Sequence, residues 1–327
     1  MATLQENPKS DVMGIGPLAT ATATPGRKVR RRSPNRPIWM EEPGPLVKTA
    51  KVVTLTLLTF IMVFPLVYVV AVSFSSAKDV LGGGLILFPR NPTLDSYRAV
   101  IEGGVVTRAL TISIWLTLIG TAVQMLFTIM LAYGLSRPGV WGSKVILYIV
   151  LGALIFYPGL IPSFLVVKEL GLLNSYGALI IPGLVSAWNL IIVRNFFMNL
   201  PSELLDAARV DGASDPQILL RIVLPLSKAV LAVVALFYGV GTWNTFFNAI
   251  LYLNDSTKWP IQVVLRQYVL LGNSVAGNDS FNPGQAPPPT QSIQMAIVVI
   301  GTVPILLVYP FLQRYFTKGV LTGSIKG

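Results

Sequence analysis

The stretch Ser202–Pro225, SELLDAARVDGASDPQILLRIVLP, is polar and charged, yet it stands between two long apolar runs. Such a segment has to lie in water at the point where the chain leaves an apolar environment. Its local signals describe two short helices. Ser202 follows Pro201 as an N-cap, and Glu203 and Asp206 are expected in the first turn, where the helix dipole favours acids. Leu204, Ala207, Ala208, Val210 and Asp211 carry the first helix to Gly212, a residue suited to the C′ position. Asp215 is expected to cap a second helix with Pro216 at its first position, and Pro225 marks the entry to the next apolar run. The product is a compact knob whose Ala207–Ala208 pair offers a small face for close approach.

The surrounding chain explains why the knob must be at a membrane face. Over 327 residues, 53% are hydrophobic, only 12% are charged, and mean hydropathy is +0.66. That composition is typical of multi-span membrane proteins. Six runs are long enough to cross a bilayer, about 48–73, 108–133, 144–166, 178–197, 228–252 and 291–313. The fold expected is therefore an all-α membrane protein of six transmembrane helices over residues 46–327, with the helical loop 198–227 between spans four and five. Residues 1–45 form a basic arm, expected to be disordered and cytoplasmic, with Arg27, Lys28, Arg30, Arg31, Arg32 and Arg36 in one run. Beside a span, such a run serves topology and lipid headgroups rather than nucleic acid. The arm, the 134–144 loop, the 194–228 loop and the C-terminal tail hold 18 of the 25 Lys and Arg residues. The positive-inside rule thus puts both termini and the knob in the cytoplasm of a cell-membrane protein.

Several function classes drop out. The chain has no cysteine and no histidine, which removes thiol nucleophiles, imidazole acid–base work and the commonest zinc ligands. Neither catalysis nor a resident metal or cofactor is expected. No Asp, Glu, Lys or Arg falls in the middle of a span, where an ion-driven carrier needs a coupling site. No phosphate-binding G-x-x-x-x-G-K-[ST] loop occurs either, so any ATPase is a separate chain.

Asp206-Ala207-Ala208, three residues, Gly212, nine residues, then Ile222-x-Leu224-Pro225 resembles the cytoplasmic loop of ATP-binding-cassette importer permeases, whose first residue is Glu where this chain has Asp206. Two softer matches, in the right order, make residues 46–327 similar to the carbohydrate importers. They are Pro92-Thr93-Leu94-Asp95-Ser96-Tyr97 before the second span and Gly319-x-x-x-Gly323-x-x-Lys326-Gly327 at the end. The run Thr242–Asp255 looks closest to the subgroup importing complex oligosaccharides, sometimes described as lipoprotein-associated. The resemblance implies a second permease chain and two ATPase subunits that bind ATP and Mg. It also implies an extracytoplasmic solute-binding protein, a sugar substrate and a lipid bilayer around the permease. It assigns Glu203, Asp206, Ala207, Ala208, Asp211, Gly212, Ala213, Ile222, Leu224 and Pro225 to coupling with the ATPase.

For the substrate path the candidates are Trp188, Asn189, Tyr238, Trp243, Asn244 and Asn248, with Tyr157-Pro158 a third cluster. Asn244 and Asn248 stand four apart, so one helix would present two amides together to sugar hydroxyls, and Trp243 would add a flat stacking face. Helix–helix packing uses the same residue types. Gly239 and Gly241 suit close packing, and Pro158, Pro162, Pro182 and Pro304 are hinge candidates. The external stretch 253–290 reads as an irregular linker or a finger that touches the binding protein. Other cargo (amino acid, peptide or phosphate) shares the same coupling loop. A stand-alone secondary carrier and a membrane scaffold are the remaining alternatives.

Overall fold

A computed structural model describes residues 44–156, 158–270 and 289–323, with residues 309 and 311–323 by backbone alone. The chain divides at Leu58 into two compact units. Among described residues the first unit holds only the opening of α1 (Pro45–Ser73), and all contacts below lie within the second. No strand forms among the described residues, apart from one antiparallel bridge between Ser75 and Pro92. Residues 1–43 of the expected basic arm and the stretch 271–288 of the expected finger lie outside the described residues.

Two short helices, α2 (Ala77–Leu81) and α3 (Asp95–Glu102), lead to α4 (Val105–Ser136), a continuous helix of 32 residues. At 1.5 Å per residue α4 is about 48 Å long, more than a bilayer core requires. With α1 and the 290–308 part of α15 (described last), it is one of three unbroken helices among the described residues that are long and apolar enough to cross a membrane. The third expected stretch, 144–166, is divided into α5 (Ser143–Ile155) and α6 (Leu160–Glu169). Pro158 lacks an N–H, and Gly159 turns the chain with φ +86°, so no continuous helix can pass.

The fourth stretch is bent as well. α7 (Gly177–Ile180) runs into a 3₁₀ turn at Ile181–Gly183, bends by 51° and resumes as α8 (Ala187–Met198). Pro182 sits in that turn, whereas two other expected hinges do not interrupt their helices: Pro162 lies in the first turn of α6 and Pro304 within α15. Then come α9 (Ser202–Val210), α10 (Asp215–Ile218), a π-helical turn at Leu219–Val223, and α11 (Leu224–Leu226). An 85° bend at Ser227 turns the chain into α12 (Lys228–Trp243). Counting each bent pair as one span brings the candidates among the described residues to five.

The fifth stretch does not run to residue 252 as one helix. α12 stops at Trp243, three residues intervene, and α13 (Phe247–Tyr252) follows. Gly239, Gly241, Thr242, Asn244 and Thr245 crowd this end with poor helix formers, and Thr245 Oγ1 donates back to the Gly241 carbonyl at 3.2 Å. Nor is 253–270 irregular. A 3₁₀ turn at Ser256–Lys258 precedes α14 (Ile261–Val269), and α15 (Thr290–Gly323) completes the chain. Asn174, with φ 57°, clasps this region: its N–H donates to the Tyr252 carbonyl at 2.7 Å and its Oδ1 accepts from the Asp255 N–H at 3.1 Å. Hydrogen bonds from Thr257 hold the Asp255 carboxyl below the ordinary carboxylate value. Whatever Asp255 contributes is therefore present above that value and lost only as pH falls through its own lower one.

α4 is the mast. One buried cluster joins its far end (Ala132, Tyr133, Leu135) to α8, α12 and the loop around α9 and α10. A second joins its near end (Val106, Ala109) to Trp243, α14 and α15. A third sits at Leu116 with α7, α13 and Val263 of α14. The knob therefore occupies the opposite end of α4 from α14.

Candidate functional site: a two-faced knob and a break in the fifth stretch

Each half of the knob is closed by its own local chemistry. Gly212, φ +80°, sits at C′ of α9, its N–H bonded to the Arg209 carbonyl at 3.0 Å, while the Ala213 N–H reaches the Ala208 carbonyl at 2.9 Å. These two bonds form the Schellman closure, which requires the left-handed residue that glycine supplies. At the helix starts the expectations shift by one. Pro201 rather than Ser202 occupies the cap of α9, only Glu203 lies in its first turn, and Asp206 sits one turn further on. Ser214 rather than Asp215 caps α10, its N–H bonded to Gln217 Oε1 at 2.9 Å, so Pro216 becomes the second helical residue.

The motif divides into two faces. Leu205, Ile218 and Val223 are buried against α4, α8 and α12, with Ala208, Ala213 and Ile222 packed partly beneath the same surface. Glu203, Asp206, Ala207, Asp211, Gly212 and Pro225 face outward, Leu224 is half-buried, and Val210, 87% exposed, is the apolar tip. Asp206 pairs with Arg209 at 3.3 Å. The knob is also tied sideways: Tyr133 donates its hydroxyl hydrogen to the Asp215 carbonyl at 3.2 Å, and the Arg137 guanidinium lies 4.2 Å over the Tyr133 ring. Arg194 Nε donates to the Leu135 carbonyl at 3.0 Å, joining α8 to the end of α4.

The path candidates separate by exposure. Trp188, Asn244 and Asn248 are exposed, whereas Asn189, Tyr238 and Trp243 are buried. Asn244 caps α12 and Asn248 belongs to α13, so the two amides do not share a helix face, and the spacing argument for them is corrected. Trp243 offers no stacking face, because its ring lies in the cluster with Val106, Ala109, Ile261 and Ile297. Tyr238 is engaged within the protein: its hydroxyl accepts from the Ser186 N–H at 2.9 Å and lies 2.7 Å from Thr128 Oγ1. Gly239 packs close, since a Cβ there would meet Thr121 Oγ1 at 3.5 Å, but Gly241 faces open space. Tyr157 lies outside the described residues.

One polar seam escaped the sequence reading. Thr117, Thr121, Gln124 and Thr128 recur at helical spacing on the face of α4 that meets α12. Gln124 Nε2 donates to the Gly183 carbonyl at 3.1 Å, and Tyr238 takes the Ser186 N–H. Between them they satisfy backbone groups freed where the fourth stretch bends, which an apolar surround demands. Spacing could have revealed the stripe. Its target, a bent backbone on another segment, is not readable from spacing.

Residues 109–322 match the family described as binding-protein-dependent transport system inner membrane component. Over 273 residues the chain is 47% identical to the polygalacturonan/rhamnogalacturonan transport system permease protein of Bacillus subtilis, covering 84% of this chain and 96% of that one. It is equally 47% identical over 267 residues to protein LplC of the same organism, covering 82% and 90%. Among solved structures, a chain from a bacterial ABC transporter that imports the acidic polysaccharide alginate superposes with a TM-score of 0.79 at 29% identity. That match covers 85% of this chain and all of the other.

Proposed function

The chain belongs to the family of binding-protein-dependent transport system inner membrane components, and on that footing we propose that it is the transmembrane permease subunit of an ATP-driven importer of oligosaccharides. Membership makes it a multi-pass membrane protein whose work is transport, as it is for its relatives. In the proposed assembly it pairs with a second permease, above two ATPase subunits that bind ATP and Mg and below an extracytoplasmic binding protein. The sugar cargo is supported by the relatives, one described as a transporter of polygalacturonan and rhamnogalacturonan and one as part of an importer of alginate. α5 and α6 together would supply the sixth crossing, and the basic bias of the 194–228 loop favours a cytoplasmic knob.

The observation that carries this reading is the two-faced knob. Its outer face (Asp206, Ala207, Val210, Gly212) is free to dock, and its inner face (Leu205, Ile218, Val223) is packed on three helices at once. A push on the outer face is delivered to α4, α8 and α12 together. The test is reconstitution of the full complex in vesicles with its binding protein. Oligosaccharide uptake is expected to require internal ATP and to continue after ion gradients are collapsed. Uptake that follows a proton or sodium gradient without ATP would instead identify a secondary carrier.

A further inference from the structure

α14 is not a surface connector. Its first N–H, from Ile261, donates to the buried Ser113 Oγ on α4 at 2.7 Å. One turn on, Leu265 lies so near Gly301 of α15 that a Cβ there would stand 2.8 Å from Leu265 Cδ1. Ser113 is eight residues into α4 and Gly301 eleven residues into α15, about 12 and 16 Å along those helices from their first residues at 1.5 Å per residue. Both lie inside apolar stretches able to cross a membrane. The chain therefore folds a short helix back among its spans, and that helix carries Arg266.

Arg266 is exposed, and its guanidinium carbon lies 4.8 Å from the centroid of the Phe246 ring. Phe246 belongs to the break between α12 and α13, two residues from the exposed Asn244 on one side and two from the exposed Asn248 on the other. Among the described residues no carboxylate pairs with Arg266, and its side chain donates no hydrogen bond. An exposed cation without a counter-ion belongs in water or against an anionic partner, because hydrocarbon will not hold it. The aromatic ring supports one face of the guanidinium and leaves the N–H edge free. That edge is a planar fork matched to a carboxylate.

We propose that the cargo is an anionic oligosaccharide bearing sugar carboxylates, and that Arg266 is the residue of the path that reads them. This rests on the oligosaccharide reading above. The Phe246 ring fixes the fork, Asn244 and Asn248 offer amides to hydroxyls beside it, and a single cation holds the chain without trapping it. The break in the fifth stretch then has a use: it opens the backbone where Arg266 stands.

The test uses the whole complex in vesicles, with galacturonate trisaccharide and a neutral galacto-oligosaccharide of the same length as probes. Arg266→Gln is expected to reduce galacturonate uptake at least about ten-fold, the scale of a lost charge-assisted contact. Neutral uptake, where present, should change by less than about two-fold, the scatter expected for a group that does not touch that sugar. Stimulation of ATP hydrolysis by the loaded binding protein should persist, and Arg266→Lys should be intermediate. Galacturonate uptake retained within two-fold in Arg266→Gln overturns the proposal, as does wild type that carries only the neutral sugar. Loss of complex assembly together with uptake of both sugars also overturns it, by making Arg266 a lipid or subunit anchor. If wild type carries neither sugar, the oligosaccharide reading fails first, and this inference with it.

Discussion

Tyr238 stands four residues before Thr242 on a helix rich in aromatic and polar side chains, and by spacing alone it belongs with a sugar path. Its surroundings assign it differently, since the hydroxyl is shared between Thr128 and the bent backbone at Ser186. Helical spacing tells which residues share a face; it does not tell what stands opposite. The same limit explains Trp243, buried against α14, a helix that the irregular composition after residue 252 did not announce. Gly212 was legible because a left-handed C′ has a local cause, and local causes survive in sequence. Tyr238→Phe would leave the Ser186 N–H without its acceptor, a loss of about 1–3 kcal/mol for a buried donor. We expect lower thermal stability of the purified complex with uptake per folded complex unchanged. Unchanged melting with altered sugar preference would return Tyr238 to the path.

At the scale of elements, the proposed lever is the knob, and its joint is Gly212, whose left-handed backbone glycine adopts without strain. A Cβ on Gly212 would meet nothing within 4 Å, so in this chain a side chain there costs only the left-handed backbone, about 1–2 kcal/mol. The added bulk would project outward, toward whatever docks. Gly212→Val should therefore insert into the membrane and assemble, but show ATP hydrolysis poorly stimulated by loaded binding protein and reduced uptake. Full stimulation and full uptake in that variant would mean that the joint transmits nothing. The knob's two helices were readable because caps, Gly212 and Pro225 are short-range signals. The side-on tie from Tyr133 to Asp215 was not, since 82 residues separate its partners. Broken spans were read only in part: Pro158 and Pro182 mark real interruptions, but the break at Asn244–Phe246 has no proline and follows from accumulated weak helix formers.

For the whole molecule, apolar length carried the helical membrane architecture, because a bilayer imposes the same demand on every span. Hydropathy could not distinguish a straight helix from a bent pair, nor reveal that α14 turns back among the spans. The central claim is that energy enters through the outer face of the knob. The chain lacks cysteine, so Val210→Cys adds its sole thiol at the apolar tip. Carrying a benzophenone maleimide, that thiol should photo-cross-link to the ATPase subunit in the assembled complex, with a yield that changes on adding ATP, and the cross-linked complex should be unable to transport. Attachment elsewhere, or labelling of the thiol by an impermeant reagent from outside intact cells, would contradict the account.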